Sequence, residues 1–299
     1  MVTKYDAIVI GTGQSGPPLA DRLASEGQSV AIIERKHFGG TCVNVGCVPT
    51  KTMVASAQVA HTTRRAAEYG VAIDGTVRVD MQRVKARKDE IVRRGRTGIT
   101  RWMEGLDKAT VLRGHARFSG PRSIEVDGKS LQADRIFVNT GGRALVPRMP
   151  GIEDVDYLTN STIMELDTVP EHLLVVGGSY IGLEFAQMFR RFGARVTVVE
   201  MADRLIARED PDISDAVKGV LEDEGIEVRL GAKCLAVAKQ GGGIAMRLAC
   251  GEGAPEIVGS HLLLAVGRRP NTDDLGLDKA GVATDQRGYI QVDDQCRTN

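Results

Sequence analysis

The sequence predicts an α/β fold that consists of two similar three-layer units, each with a β-meander insert. An apolar strand, a glycine-rich turn and an amphipathic helix follow one another between residues 5 and 28, and a second apolar strand comes next. The same order returns between residues 173 and 200. Short segments with strand-like alternation follow each stretch. This arrangement is typical of a Rossmann-like unit, and its return predicts two such units in one chain.

The composition is that of a globular protein with enough apolar residues for two cores. The 299 residues are 42% hydrophobic and carry 39 basic and 39 acidic side chains. Because these charges balance, nothing favours binding to nucleic acid or to an anionic membrane. The first apolar run lacks a basic leader, and no apolar run approaches the roughly 20 residues of a membrane span. We therefore expect a soluble cytoplasmic protein, in which a disulfide is more often catalytic or redox-sensing than structural.

The first repeat has the glycine pattern of a dinucleotide-binding turn. Its strand, YDAIVI, leads into GTGQSG, whose three glycines fit G-x-G-x-x-G: Gly11, Gly13 and Gly16. The first glycine permits the tight turn, the second lets the backbone approach a pyrophosphate, and the third lets the helix pack on the strand. The helix N-terminus holds the phosphates. Glu34 ends the next strand, where an acidic side chain accepts hydrogen bonds from an adenosine ribose.

The second repeat matches the first in its internal spacing. Its turn residues are Gly177, Ser179 and Gly182, and Glu200 ends its second strand. The first glycine and the acidic residue stand equally far apart in both repeats. Two chance matches with equal spacing are improbable, so we predict a second dinucleotide site. Ser179 departs from the pattern because it adds a side chain where bare backbone is expected.

The segments between and after the repeats suggest the domain bounds. Three strand-like segments follow each repeat: 109–118, 123–128 and 134–142 after the first, and 226–230, 245–250 and 261–271 after the second. Prolines and a glycine interrupt the pattern at 146–154. We predict a first domain at 1–149 to which 271–299 returns, and a second at 150–270. Residues 52–105 are predicted to be helical, with basic side chains on a solvated face.

Two cysteines, Cys42 and Cys47, lie in the glycine-rich stretch GGTCVNVGCVPTK at 39–51. A zinc site usually needs four ligands, often supplied as C-x₂-C pairs. The remaining cysteines form no second pair of that kind: Cys234, Cys250 and Cys296. We therefore expect no metal centre. Two interpretations remain open, a pair of buried thiols without chemistry and a redox couple.

The local pattern favours the redox couple. The segment after Cys47 has proline in its first turn and no further breaker until Gly70, so we predict that a helix starts here. A thiol at a helix N-terminus has a lowered pKa. In a regular helix, residues i and i+5 are about 7.5 Å apart along the axis, beyond the usual disulfide limit of about 7 Å. If the cysteines bond, the helix between them must break, and the glycines at 39, 40 and 46 would permit this.

The cysteine stretch closely resembles the redox-active segment of the pyridine nucleotide–disulfide oxidoreductases. The resemblance extends through the chain, with NTGG at 139–142, VVGGSYIGLEFAQ at 175–187, AVGRRPN at 265–271 and GYIQVDDQCRTN at 288–299. The opening turn, GTGQSGPPLA, is most similar to the mercuric-reductase-like branch, and dihydrolipoamide dehydrogenases are the alternative within the family.

The resemblance implies that hydride passes from a nicotinamide through FAD to a Cys42–Cys47 disulfide, and on to a disulfide or metal-ion acceptor. In the family pattern Cys47 is the thiolate beside the flavin, Cys42 attacks the substrate, and Lys51 pairs with Glu184 near the flavin. The implied FAD contacts are Gly11, Gly13, Gly16, Glu34, Gly40, Thr41, Lys51, Ala116, Thr140 and Gly141. The implied nicotinamide contacts are Gly177, Ser179, Gly182, Glu200 and Gly267. Because a carboxylate suits a free ribose hydroxyl and repels a 2′-phosphate, Glu200 predicts NADH over NADPH.

The family pattern continues beyond Asn299 into a second flavin-binding segment and a dimerisation domain that supplies a His–Glu pair. We therefore expect a fragment or a truncated product, with weakened FAD binding, slow turnover and no interface for the family's homodimer. A non-catalytic redox sensor, in which Cys42 and Cys47 oxidise reversibly, is the alternative from another functional class.

Overall fold

The computed structural model describes residues 1–233, 235–249, 253 and 255–299. Its contacts divide the chain into two units. Unit 1 comprises Met1–Pro49, Asp89–Arg143 and Arg268–Asn299, and unit 2 comprises Thr50–Lys88 and Ala144–Gly267. This division differs from the predicted bounds chiefly because residues 50–88 group with unit 2. The assignment of one cofactor to each domain stays a prediction.

Unit 1 is built on a parallel sheet that continues into an antiparallel meander. The sheet order is β3-β2-β1-β6-β5-β4, and its strands are β1 (Val2–Ile10), β2 (Val30–Glu34), β3 (Ala109–Arg113), β4 (Arg117–Gly120), β5 (Ser123–Val126) and β6 (Lys129–Val138). The first three and β6 run parallel, whereas β4, β5 and β6 pair antiparallel. The helices that begin in this unit are α1 (Gly16–Ser25), α2 (Gly40–Val45) and α3 (Cys47–Arg64). Helix α4 (Met81–Glu104) ends in it.

The central strands of unit 1 are buried on both faces. Ile8 and Ile33 face a cluster that includes Ile124 of the meander. Ala7 and Ile32 face the opposite cluster, which contains residues of α1 and the end of α4. Successive side chains of a strand point to opposite faces, so an apolar run such as DAIVI buries both sides at once. The result is a sheet between a helical layer and a meander layer.

Unit 2 repeats this plan with a separate meander. Its parallel sheet has the order β11-β10-β9-β15-β8, with β8 (Tyr157–Leu158), β9 (His172–Val176), β10 (Arg195–Val199), β11 (Glu227–Arg229) and β15 (His261–Leu264). The antiparallel meander consists of β12 (Ala236–Gln240), β13 (Gly243–Arg247) and β14 (Glu256–Gly259). The helices that lie wholly in this unit are α5 (Tyr180–Phe192) and α6 (Pro211–Asp223). Cys250, at the end of the predicted strand 245–250, lies outside the described residues.

The remaining elements are short. A two-stranded ribbon pairs β7 (Gly142–Ala144) with β16 (Arg268–Pro270), and α7 spans Leu277–Ala280. The 3₁₀ turns are Ala66–Tyr69, Ile152–Asp154 and Ile163–Glu165. The structure confirms the predicted α/β class with two Rossmann-like units and meander inserts. It also confirms helical structure within 52–105, although residues 70–80 interrupt it. In the described part of the chain, every helix is too short or too polar to cross a membrane.

The third glycine of each turn lets a helix lie directly on the turn's own backbone. A side chain at Gly16 would overlap the carbonyl oxygen of Gly11, and one at Gly182 would overlap that of Gly177. Both glycines are buried in the first turn of their helices. The obstructing atoms are backbone, so no side-chain rotation can relieve the overlap.

We predict opposite effects for two helical glycine substitutions in unit 2. Gly182→Ala should destabilise the protein by about 1–3 kcal/mol, because the added methyl group overpacks a rigid contact. Gly219→Ala, the matched control in α6, has open space around the new methyl group and should stabilise by about 0.5–1 kcal/mol through helix propensity. Urea unfolding of both variants measures the two free energies. A loss of stability in both would contradict the steric explanation.

Candidate functional site

The first glycine of each turn sits against the end of a neighbouring strand. Gly11 has φ +104° and Gly177 has φ +114°, a region that side chains rarely adopt. A Cβ on Gly11 would overlap the carbonyl oxygen of Asn139, and one on Gly177 would lie 2.5 Å from the carbonyl oxygen of Ala265. Both turns therefore require glycine here, for the same steric reason.

Glu34 is fixed to the first turn by hydrogen bonds. Its Oε2 accepts from the Thr12 backbone N–H at 3.1 Å and from the Thr12 hydroxyl at 2.6 Å, and its Oε1 accepts from the Lys36 N–H at 2.8 Å. A carboxylate offers about four acceptor positions. At least one therefore remains for a ligand hydroxyl, as the prediction for Glu34 requires.

Glu200 repeats this arrangement in unit 2. Its Oε2 accepts from the Gly178 N–H at 2.5 Å and its Oε1 from the Ala202 N–H at 2.8 Å. The nearby Arg204 donates to the Ala207 carbonyl at 3.1 Å. The end of β10 thus presents a fixed negative charge, while the neighbouring guanidinium already has a backbone partner.

The glycine turn of unit 1 touches the cysteine stretch through bare backbone. Gly40 has φ +57°, and a Cβ on it would lie 2.6 Å from the Cα of Gly13. The Gly39 N–H donates to the Thr12 carbonyl at 2.9 Å. Because neither glycine has a side chain, the two loops approach each other directly. This contact places the start of α2 against the turn.

The two cysteines lie on either side of a break between helices. Helix α2 ends at Val45, Gly46 has φ −141° and ψ −122°, and α3 begins at Cys47. A Cβ on Gly46 would lie 2.9 Å from the Thr41 carbonyl oxygen and 3.2 Å from the Cα of Cys42. Both thiols are free, and Cys47 is close enough to affect the pKa of the Cys42 thiol. The structure confirms the predicted helix start and the break at the glycine.

The surroundings of Cys42 raise the pKa of its thiol above the usual value. Burial is the largest cause, and the hydrogen bond to Cys47 and the charge of its thiolate add to it. Backbone N–H groups of Cys47 and Val48 act in the opposite direction. The first amides of α3 therefore stabilise a Cys42 thiolate, as expected at a helix start, but burial and the second sulfur outweigh them.

Asn44, which the sequence analysis overlooked, holds the cysteine stretch together. Its Nδ2 donates to the carbonyls of Phe38 and Gly40, both at 2.8 Å, and its Oδ1 accepts from Arg96 Nε at 2.9 Å. An asparagine inside a short helix is unfavourable unless its side chain has such partners. That residue type between the two cysteines was the available signal, whereas nothing local indicates Arg96.

The remaining predicted flavin contacts of unit 1 lie around the end of β6. Asn271 Nδ2 donates to the Thr140 carbonyl at 2.9 Å, and the Asn271 N–H donates to the Gly141 carbonyl at 3.0 Å. Arg268 donates to the Thr41 hydroxyl at 3.3 Å. Ala116 is only 3% exposed and packs in the hydrophobic core, so only its backbone could face a ligand.

The predicted pair in unit 2 is formed. Lys51 Nζ makes an ion pair with Glu184 Oε1, and the two side chains are 70% and 29% exposed. Ser179 starts α5 in an extended conformation, is exposed, and makes no capping hydrogen bond through its side chain. Gly267 has φ +127° with open space around it. Among the residues that the structure describes, no three His, Cys, Asp or Glu side chains are placed to hold a metal ion.

Comparisons with known proteins identify relatives of this chain. The model of the family "Pyridine nucleotide-disulphide oxidoreductase" matches residues 5–299. The chain is 38% identical over 298 residues to a dihydrolipoyl dehydrogenase of Thermus scotoductus, and 38% identical over 307 residues to a mercuric reductase of Streptomyces lividans, covering 99% of this chain in both cases. A Cu(II) complex of the HOCl-induced flavoprotein disulfide reductase RclA from Escherichia coli superposes with a TM-score of 0.88 at 33% identity, covering 99% of this chain.

The chain spans about two thirds of these proteins. It covers 64% of the Thermus protein, 64% of the Streptomyces protein and 64% of the RclA chain. The likeness therefore concerns the part of each relative that this chain matches.

We predict that Cys47→Ser lowers the pKa of the Cys42 thiol. The variant removes the thiolate charge of Cys47, one of the causes that raise this pKa, while burial remains. Iodoacetamide labelling of reduced Cys42, followed across pH by mass spectrometry, should show its half-maximal rate at lower pH in the variant than in the wild type. The Cys296→Ser variant should leave the profile of Cys42 unchanged. An unchanged or raised midpoint in Cys47→Ser would contradict the prediction.

Proposed function

Since the chain belongs to the pyridine nucleotide-disulphide oxidoreductase family, we propose that unit 1 binds FAD, that unit 2 binds NADH, and that Cys42 and Cys47 form a redox couple. The observation that carries the proposal is the direct backbone contact between the glycine turn and the cysteine stretch, through Gly13 and Gly40. This contact brings the thiol-bearing segment to the turn that would hold the dinucleotide.

The residues of unit 1 fit FAD. The turn is bare at Gly13, whose Cβ position has only the Cα of Gly40 nearby, at 4.0 Å, so a pyrophosphate can approach the backbone. Glu34 is held at the strand end with acceptor capacity to spare. Thr41, Thr140 and Gly141 would line the remainder of the site. When bound, FAD would supply the two-electron chemistry that connects a nicotinamide to a disulfide.

The cysteine pair would store the two electrons. Reduction of a Cys42–Cys47 disulfide breaks one S–S bond and, with two electrons and one proton, gives a Cys42 thiol and a Cys47 thiolate. The raised pKa of Cys42 keeps a proton on that sulfur. With a disulfide acceptor, Cys42 loses this proton and its thiolate attacks one acceptor sulfur, which releases the other acceptor sulfur as a thiolate. The Cys47 thiolate then attacks Cys42, which re-forms the Cys42–Cys47 disulfide and releases the second acceptor thiolate. We propose a small disulfide or a thiol-seeking metal ion as the acceptor, in line with the relatives named mercuric reductase and dihydrolipoyl dehydrogenase.

The exposure of the Lys51–Glu184 ion pair favours a functional role for it over a stabilising one. Lys51 is 70% exposed, and exposed ion pairs contribute about 0–1 kcal/mol. In the proposal, Glu184 orients the Lys51 ammonium.

We predict that NADH reduces the cysteine pair of the FAD-loaded protein. In anaerobic titration of oxidised protein, NADH should bleach the flavin absorbance, produce a long-wavelength band, and expose Cys42 and Cys47 to thiol reagents. Cys47→Ser should remove the long-wavelength band, since that band needs the thiolate of Cys47. Cys296→Ser is the matched control and should behave as the wild type.

If NADH does not bleach the flavin absorbance, the proposed hydride transfer is refuted. If the thiols nevertheless oxidise and reduce reversibly with other reagents, the chain is a thiol redox sensor. Loss of the band in the Cys296→Ser variant would also contradict the assignment.

We predict that NADH is preferred over NADPH by about fivefold or more in kcat/KM. A phosphate about 4 Å from the Glu200 carboxylate would be repelled by about 1–4 kcal/mol, and 1.4 kcal/mol is tenfold. Glu200→Gln removes the negative charge of the carboxylate and should lower the ratio of kcat/KM with NADH to kcat/KM with NADPH. Glu34→Gln, the same change in the equivalent position of unit 1, should weaken FAD binding and leave the ratio unchanged. Steady-state rates with both nicotinamides measure this, and a clear NADPH preference in the wild type would refute it.

A further inference from the structure

One amide in unit 1 lacks the hydrogen bond that its burial requires. Among the described residues, the Nδ2 atom of Asn139 is buried without a hydrogen-bond partner. Buried polar atoms are nearly always paired, and an unpaired one is costly. Asn44 and Asn271, by contrast, each donate side-chain hydrogen bonds to main-chain carbonyls. Asn139 is therefore an exception within its own unit.

Asn139 lies at the glycine turn. It follows β6, its N–H donates to the Ile10 carbonyl at 2.8 Å, and its own carbonyl fills the space beside Gly11. Thr140 and Gly141 come next, with their carbonyls held by Asn271. The unpaired amide thus belongs to the residue that links the turn to two predicted flavin contacts.

The second unit shows that the turn does not need this amide. Ala265 occupies the same position there, since its N–H donates to the Val176 carbonyl at 2.8 Å and its carbonyl lies beside Gly177. Alanine has no side-chain polar group, yet the turn has the same form. The amide of Asn139 is therefore not explained by the construction of the turn.

We propose that Asn139 Nδ2 donates a hydrogen bond to an acceptor oxygen of the FAD bound at the Gly11 turn. The inference rests on the proposed function, and it adds a ligand-binding residue that has no counterpart in the second unit. An unpaired donor that is costly without ligand and satisfied with ligand contributes its full hydrogen bond to binding.

The test separates ligand binding from folding. FAD affinity and the thermal midpoint of the apoprotein are measured for the wild type, Asn139→Ala and Asn139→Asp. Asn139→Ala should weaken FAD binding by about tenfold, the effect of losing one hydrogen bond to an anionic or polar ligand. The apoprotein midpoint should stay equal or rise, because the substitution removes a buried donor that has no partner. Asn139→Asp keeps the shape, removes the donor and should bind FAD no better than Asn139→Ala.

Asn271→Ala is the matched control. It deletes an asparagine whose side chain is paired with Thr140 and Arg143, so its apoprotein midpoint should fall. If the Asn139→Ala variant binds FAD as tightly as the wild type does, the inference is overturned while the proposed function stands. A fall of the Asn139→Ala apoprotein midpoint comparable with that of the control would also overturn it, because the amide would then be structural. If the Asn139→Asp variant keeps the FAD affinity of the wild type, residue 139 acts as a hydrogen-bond acceptor and not as a donor, which also contradicts the inference. A wild type that binds no FAD would refute the proposed function itself.

Discussion

The approach of Gly13 and Gly40 is the constraint on which the site of unit 1 depends. The Cβ position of Gly40 lies 2.6 Å from the Cα of Gly13, so any side chain at 40 would separate the glycine turn from the cysteine stretch. The hydrogen bond from Gly39 to the Thr12 carbonyl fixes the same approach. Thr12 in turn donates twice to Glu34. One buried threonine therefore connects the Glu34 carboxylate with the segment that carries the thiols.

The glycine turns of the two units have the same backbone arrangement and differ in their side chains. Each has a first glycine at positive φ, a third glycine under its helix, and a carboxylate that accepts N–H groups from its own turn. Gly13 corresponds to Ser179, and Asn139 corresponds to Ala265. Because the backbone is already determined by the glycines and the strand ends, these positions are free to carry differences in ligand. The repeat thus works as an internal comparison that separates residues needed for folding from residues available for binding.

The sequence was informative wherever the physics is local. The glycine turns, the helix that starts at Cys47 and the break at Gly46 all follow from residue types within a few positions of one another. Two kinds of feature were missed. The bond from Arg96 to Asn44 and the bond from Arg268 to Thr41 join residues distant in the chain, so no local pattern reveals them. Strand β12 was overlooked because its second half, with a lysine and a glutamine, is exposed and carries little hydrophobic signal.

In the proposed function, the choice of nicotinamide depends on the fold of the second turn. Glu200 accepts the N–H of Gly178, a charge-assisted bond that an arginine or a neutral side chain of another shape would not replace. In the proposed function, the carboxylate that discriminates against a 2′-phosphate is therefore the same one that supports the glycine turn. A chain of this fold that bound the 2′-phosphate of NADPH would need a cationic side chain near that phosphate, supplied from another position. Arg204 is the nearest in sequence, and its guanidinium is bound to the Ala207 carbonyl, so that interaction would have to be exchanged for one with the ligand.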